Sequence, residues 1–190
     1  MKIARPLEGV RRAPFVAFVE ELLSKEQCDA LIARIEAEKP ARAPITTARG
    51  PVMDLRVRDN ERVMFDDAPL AAELFHQTRG LLPERLQEGL LVGLNERFRG
   101  YRYRDEQRFA PHFDGAFVRD EHERSELTLL FYLNEGFTGG QTRLLDWDVT
   151  IVPRRGSLLV FEHATYHEGA RVTDGTKYVL RTDAMYRRDD

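Results

Sequence analysis

The segment ELTLLFYLN, Glu126 to Asn134, constrains the fold more than any other part of the chain. On an extended strand Leu127, Leu129, Phe131 and Leu133 fall on one face, and Thr128, Leu130 and Tyr132 on the other. A strand apolar on both faces must be covered on both, here by helices on one side and the inside of a rolled sheet on the other. From about Leu90 onward it stands among short strand-like runs separated by Gly, Asp and Asn turns: RFRGYRYR, RFAPHFD, GGQTRLL, WDVTIV, GSLLVFE and KYVLRTDAMY. The pattern predicts an α+β, mainly β fold, a barrel or jelly roll with N-terminal helices packed on one sheet.

The helices are expected in the first half. In SKEQCDALIARIEAEKP, Ser24 and Gln27 form a capping box, Cys28, Leu31, Ile32 and Ile35 recur at helical spacing, and Pro40 stops the run. APLAAELFHQTRGLL, with Leu70, Leu74 and Leu81, predicts a second helix ending near Gly80 or Pro83. The polar stretch from Ala41 to Asn60 between them is long enough to act as a lid. The expected organisation is one domain over 1–190, with 1–89 as mainly helical support and 90–188 as the jelly-roll core.

Composition narrows the function. At 190 residues, 42% hydrophobic and 32% charged, the chain fits one soluble globular domain. Its single cysteine, Cys28, excludes an internal disulfide and a zinc site built on several thiolates, and its helical spacing marks it as packing. A net charge of -3 provides no global field for a polyanion or an anionic membrane. The arginines of NERFRGYRYRDEQRF are interrupted by Asp105 and Glu106 and are expected on a wet strand face. MKIARPLEGVRRAPFVAFVEELL has no signal-like apolar stretch, and no run approaches the roughly 18 apolar residues of a membrane span. A cytoplasmic protein with no nucleic-acid or membrane partner is the expectation.

Chemistry concentrates at two places. His112 and Asp114, in RFAPHFDG, sit at i and i+2, so on a strand both project from one face and can grip one ion. Taken alone the pair reads first as a strand-end histidine and a turn aspartate before Gly115. The later segment GSLLVFEHATYHEG offers His163 and His167, either of which could complete a set of two histidines and one carboxylate. That set leaves the opposite positions of a metal open, which suits non-haem Fe(II), though zinc also accepts such ligands.

The runs YRDEQRFAPHFD, LTLLFYLNEGFTGGQT and GSLLVF, followed by HEGARVTDGTKY from His167, resemble the iron- and 2-oxoglutarate-dependent dioxygenases of the prolyl 4-hydroxylase family, in the same order and with similar gaps. The likeness spans about Leu90 to Arg187, and the LSKEQC lead-in is similar to that family's start. It implies a double-stranded β-helix, Fe(II) held by His112, Asp114 and His167, and 2-oxoglutarate and O2 as cosubstrates, with ascorbate as a reductant. His167 is preferred because only it precedes the family's spacing to Val172, Gly175 and Lys177; His163 is expected to be a partly exposed loop histidine, and His76 and His122 structural or solvated. Lys177 corresponds to the cation that receives the remote carboxylate of 2-oxoglutarate, Tyr132 and Tyr103 to tyrosines lining it, and Arg181, on the same strand face, is the alternative anchor. Trp147 is read as packing. The resemblance implies hydroxylation of a C–H bond, first of a prolyl residue in a protein or peptide. A free amino acid or other small molecule is the alternative substrate, and a non-catalytic metal-binding module or a metal-dependent hydrolase the competing classes. The Ala41 to Asn60 and Gly115 to Ser125 loops are the expected substrate selectors.

Overall fold

The computed structural model describes residues 14–47 and 50–188. Residues 1–13, most of the N-terminal segment expected to lack a signal-like stretch, lie outside them, as do positions 48–49 of the expected lid. Eleven strands build the two sheets around the site: β1 (Val16–Val19), β2 (Glu61–Asp66), β3 (Gly89–Leu94), β4 (Arg97–Tyr103), β5 (Phe109–His112), β6 (Glu123–Tyr132), β7 (Thr142–Leu144), β8 (Val149–Ile151), β9 (Leu158–Glu162), β10 (His167–Gly169) and β11 (Lys177–Arg188). Two helices accompany them, α1 (Lys25–Ala37) and α2 (Ala68–Thr78).

The strands form two principal sheets. The larger is ordered β1-β9-β6-β11-β4-β2, edged by Ala41–Arg42, with β3 also paired to β11. The smaller is ordered β8-β7-β10-β5. They face each other as a jelly roll, and β6, at the centre of the larger sheet, behaves as its two-faced sequence requires. Leu127, Leu129, Phe131 and Leu133 pack in one core with Cys28, Leu31 and Ile35 of α1 and Ala71 and Leu74 of α2. Leu130 and Tyr132 enter a second core, inside the roll, with Tyr101, Tyr103, Leu144, Trp147, Leu159, Phe161 and Val179.

Local signals explain the helices. Ser24 accepts a hydrogen bond from the Gln27 backbone, and the Gln27 side chain accepts one in return from the Ser24 N–H. Asp67 caps α2 through the Leu70 N–H, with Pro69 in the first turn. α1 sits so close to β4 that a Cβ on Gly100 would come within 2.5 Å of the Ile35 side chain, so glycine is needed there.

The first half is less helical than expected. β1 and β2 belong to the same large sheet as β6 and β11, and Arg85–Leu86 pairs with β3. The Glu61–Asp66 run has the alternating burial of a half-covered strand, but the exposed Met64 between buried Val63 and Phe65 makes three apolar residues in a row and hides that period in the sequence. No helix among the described residues is long and apolar enough to cross a membrane.

Candidate metal centre and its cavity

Strand register builds the site. β5 and β10 pair antiparallel with His112 directly opposite His167, and Asp114 follows β5 by two residues. The Asp114 N–H donates to the carbonyl of His163, just past the end of β9, which ties this end of the small sheet to the large one. His112, Asp114 and His167 thus converge, each offering one ligand atom, all within 4.8 Å of one another.

Each histidine is presented in one tautomer. Nδ1 of His112 lies 2.8 Å from the Ala110 carbonyl and Nδ1 of His167 2.9 Å from the Thr165 carbonyl, so each Nδ1–H donates and Nε2 is left with its lone pair free. Those Nε2 atoms are each 3.7 Å from an Asp114 carboxylate oxygen. Burial, and then the neighbouring His167, pushes His112 down to about 4, and burial lowers His167 as well, so both are neutral donors at neutral pH. Phe109 stacks on the His112 ring at 3.6 Å between centroids, and Phe161 lies against His167 at 4.5 Å.

The carboxylate is held from behind by a continuous polar network. Burial alone would raise the Asp114 carboxyl, but Arg181, His167 and His112 hold it well below the usual carboxylate range. Arg181 donates to Asp114 Oδ1 and also to Asp183, which accepts a further bond from Arg99 at 2.9 Å. Thr128 Oγ1 donates to Asp114 Oδ2 at 2.7 Å, so it must accept from His163 Nδ1 at 2.9 Å; His163 Nε2 then accepts from Ser125 Oγ at 2.8 Å. Every proton in that line has one possible direction once Asp114 is ionised.

Three expectations are corrected here. His163 is not a partly exposed loop residue: it is 7% exposed and joined to Asp114 through Thr128. Arg181 is not a free cation awaiting a carboxylate, because Asp114 and Asp183 already occupy its guanidinium. The arginines of β4 do not share a wet face: Arg99 pairs with Asp183 toward the site, while Arg102 on the other face bonds Glu36 of α1 and Glu61 of β2. Thr128, Ser125 and Asp183 were not singled out from sequence; the one available hint was a threonine on the inward face of β6.

Deeper inside the roll lies Lys177, the first residue of β11. It is 2% exposed, and its Nζ donates to the Gly140 carbonyl at 2.6 Å. Tyr103 and Tyr132 face it, with ring centroids at 5.2 and 5.4 Å, and Tyr132 donates to Thr142 Oγ1 at 2.7 Å. Among the described residues Lys177 has no carboxylate partner, and desolvation pushes it down to about 7. Gly140 has φ +68, and a Cβ there would press on the Lys177 stem at 3.1 Å, so glycine keeps both the turn and the carbonyl in place. Lys177, Tyr103, Tyr132, Thr142, His112 and His167 line one cavity. Trp147 and Cys28 are packing residues, as expected from sequence. 

A jelly roll with two histidines and one carboxylate on one face of an open position, and a buried cation across the same cavity, is the arrangement of a non-haem iron oxygenase. The donor set fits Fe(II): two imidazole nitrogens and a carboxylate oxygen, with no thiolate. Residues 98–182 match the family model of the 2OG-Fe(II) oxygenase superfamily. The matched segment is that of a 2OG-Fe(II) oxygenase, and the protein is an Fe(II)- and 2-oxoglutarate-dependent dioxygenase, with O2 as the second cosubstrate. Its fold is similar to that of a viral collagen prolyl hydroxylase from Paramecium bursaria Chlorella virus-1 (18% identity, 92% of this chain and 96% of that one, TM-score 0.66). It is likewise similar to a Pseudomonas putida prolyl-4-hydroxylase (21%, 92% and 93%, 0.63). A third similar structure is a Trichoplax adhaerens prolyl hydroxylase in complex with a hypoxia inducible factor oxygen degradation domain peptide fragment (17%, 89% and 82%, 0.68). No curated protein matches the sequence.

Proposed function

We propose that His112, Asp114 and His167 hold the Fe(II), that Lys177 receives the remote carboxylate of 2-oxoglutarate, and that the enzyme hydroxylates a C–H bond of a prolyl residue in a protein or peptide. The observation that carries this reading is the placement of an ion-free buried ammonium across one cavity from three converging ligand atoms. A desolvated cation without a counter-charge is costly, and a dicarboxylate reaching from the metal would complete it. The prolyl substrate rests on the likeness to the three prolyl hydroxylases; a free amino acid or other small molecule is the alternative.

Bound Fe(II) supplies the oxygen chemistry, coupling decarboxylation of 2-oxoglutarate to succinate and CO2 with insertion of one oxygen atom into the substrate. The chain's own residues do the rest. The Ala110 and Thr165 carbonyls fix both imidazoles with Nε2 toward the metal. Thr128 and Arg181 each engage one Asp114 oxygen, which fixes the plane of the carboxylate. Lys177 and the phenol and hydroxyl groups of Tyr103, Tyr132 and Thr142 orient the cosubstrate, while Leu130 and Val179 keep the cavity wall dry. The Val57–Arg58 backbone runs beside β5, and Phe113 to Ala116 line the outer cleft with it, so parts of both expected selector loops border the site. The strands from both halves share one sheet, in keeping with a single domain over the described residues.

The test is aerobic incubation with Fe(II), 2-oxoglutarate and ascorbate against peptide and amino-acid pools, read by mass spectrometry. The expected outcome is succinate formation with a product heavier by one oxygen, and none with Asp114→Ala. Full turnover by Asp114→Ala overturns the ligand assignment.

A further inference from the structure

Outside the deep cavity a second, wider cleft opens over His112 and Asp114. It is lined in part by Arg58, Arg62, Arg99 and Arg181. Two of these cations are matched, since Arg99 and Arg181 share Asp183 and Arg181 also holds Asp114. The other two are not. Arg58 is 4% exposed, and its guanidinium is clamped between the rings of Tyr101 and Phe109, at 4.8 and 4.6 Å from their centroids. Its Nε donates to Asn60 Oδ1 at 2.9 Å, and its Nη2 is buried with no hydrogen-bond partner. Arg62, half-buried on β2, has no acidic partner among the described residues, and burial together with Arg58, Arg99 and Arg181 makes its charged form less favourable than usual. Tyr101, at the floor of this cleft, shows the same field. Burial should raise its hydroxyl, yet Arg181, Arg58 and Arg99 bring it below the ordinary phenol value.

A buried guanidinium lying over two aromatic rings in the wall of a cleft, with one N–H group unanswered, is a preformed receptor for an oxyanion. The second unmatched cation beside it supplies a two-charge excess at the entrance to the metal site. We infer that Arg58 and Arg62 form a carboxylate-recognition subsite, and that the substrate oxidised at this centre carries a carboxylate near the C–H bond that reacts. The inference deepens the oxygenase reading above and rests on it for the position of the metal. Lys177 is separate from this subsite: it lies in the inner cavity, whereas Arg58 and Arg62 line only the outer cleft. The carboxylate can belong to a free small molecule or to an acidic side chain of a peptide, and the two sources are separable by experiment.

The test is equilibrium binding to the full chain loaded with Fe(II) and 2-oxoglutarate under nitrogen, where no turnover occurs. Two acid and amide pairs serve as probes: N-acetyl-proline with N-acetyl-prolinamide, and acetyl-Pro-Asp-amide with acetyl-Pro-Asn-amide. The expected result is at least ten-fold tighter binding of the acid in one pair, the first identifying a free carboxylate and the second an acidic side chain. That preference is expected to disappear in Arg62→Gln, a half-buried position chosen because Arg58→Gln opens a hole between two rings, and in Arg58→Gln where it folds. Equal binding of acid and amide in both pairs, no binding of either acid, or an unchanged preference in Arg62→Gln overturns the inference. Loss of the oxygenase reading looks different: 2-oxoglutarate is never decarboxylated aerobically, whatever the probes do under nitrogen.

Discussion

The two ends of the cavity are built on opposite principles. Behind the metal ligands the charges are balanced from within: Asp114 is met by Arg181 and Thr128, Arg181 by Asp183, Asp183 by Arg99, and Thr128 by His163. At the inner end a single buried ammonium, Lys177, donates to the Gly140 carbonyl and faces two neutral phenols, with no acidic partner among the described residues. A satisfied network is rigid before any ligand arrives, which is what a metal site with set geometry requires. An unsatisfied cation stores its need for a partner until a ligand supplies one. The difference teaches which part of the site is scaffold and which is receptor.

Breaking the satisfied end is expected to have the largest effect. Arg181→Met leaves Asp114 as a buried carboxylate without its cation, and a loss of about 3–5 kcal/mol of stability is expected in denaturant unfolding. A loss below 1 kcal/mol would mean that the network does not carry the fold. Lys177→Met is expected to have the opposite sign on stability: removing a desolvated charge raises the unfolding midpoint of the ligand-free protein. The same change weakens 2-oxoglutarate binding by about 2–5 kcal/mol, the range for truncating one partner of a buried charge pair, measurable by calorimetry. An unchanged 2-oxoglutarate affinity would remove Lys177 from the site.

Thr128→Val tests the support behind the carboxylate without touching a ligand atom. It breaks both the bond to Asp114 and the bond from His163, and metal affinity is expected to fall about 10–100-fold, as read in an anaerobic Fe(II) titration. Thr128→Ser, which keeps the hydroxyl, restores most of it. The smallest effect is a pH dependence confined to the receptor end. The unfolded or ligand-bound lysine titrates well above the value of about 7 that burial gives the free site, and the groups facing it, Tyr103 and Tyr132, have their phenol values raised and stay neutral. Binding a carboxylate therefore takes up a proton above pH 7, so 2-oxoglutarate affinity is flat below pH 7 and weakens as pH rises, by up to about ten-fold per unit. Calorimetry in two buffers of different ionisation enthalpy checks this: uptake approaching one proton at pH 8 is expected, and zero uptake contradicts it.

Much of the scaffold was legible in the amino-acid order because it depends on local period. ELTLLFYLN announces two covered faces by alternation alone, and SKEQ announces a helix start through two side chains three residues apart. The i, i+2 spacing of His112 and Asp114 likewise needs only an extended backbone. The network behind Asp114 needs more. His163 reads as a loop histidine until the fold places it between Ser125 and Thr128, 38 and 35 residues away. Arg181 shares a strand face with Lys177, so sequence allows either as the anchor. The fold distinguishes their surroundings: Asp114, 67 residues distant, reaches one arginine edge, and nothing acidic among the described residues reaches the lysine.

By itself the sequence determined the two-faced central strand, the capped helices and the set of residues able to bind a metal, since strand and helix periods and capping act over a few neighbouring positions. The tertiary structure decided that His167 lies opposite His112, that Arg181 is consumed by Asp114 and Asp183, and that Arg58 is buried with a donor unanswered. These are matters of register between distant strands and of which charges lose water, and neither is fixed until the sheets have closed on each other.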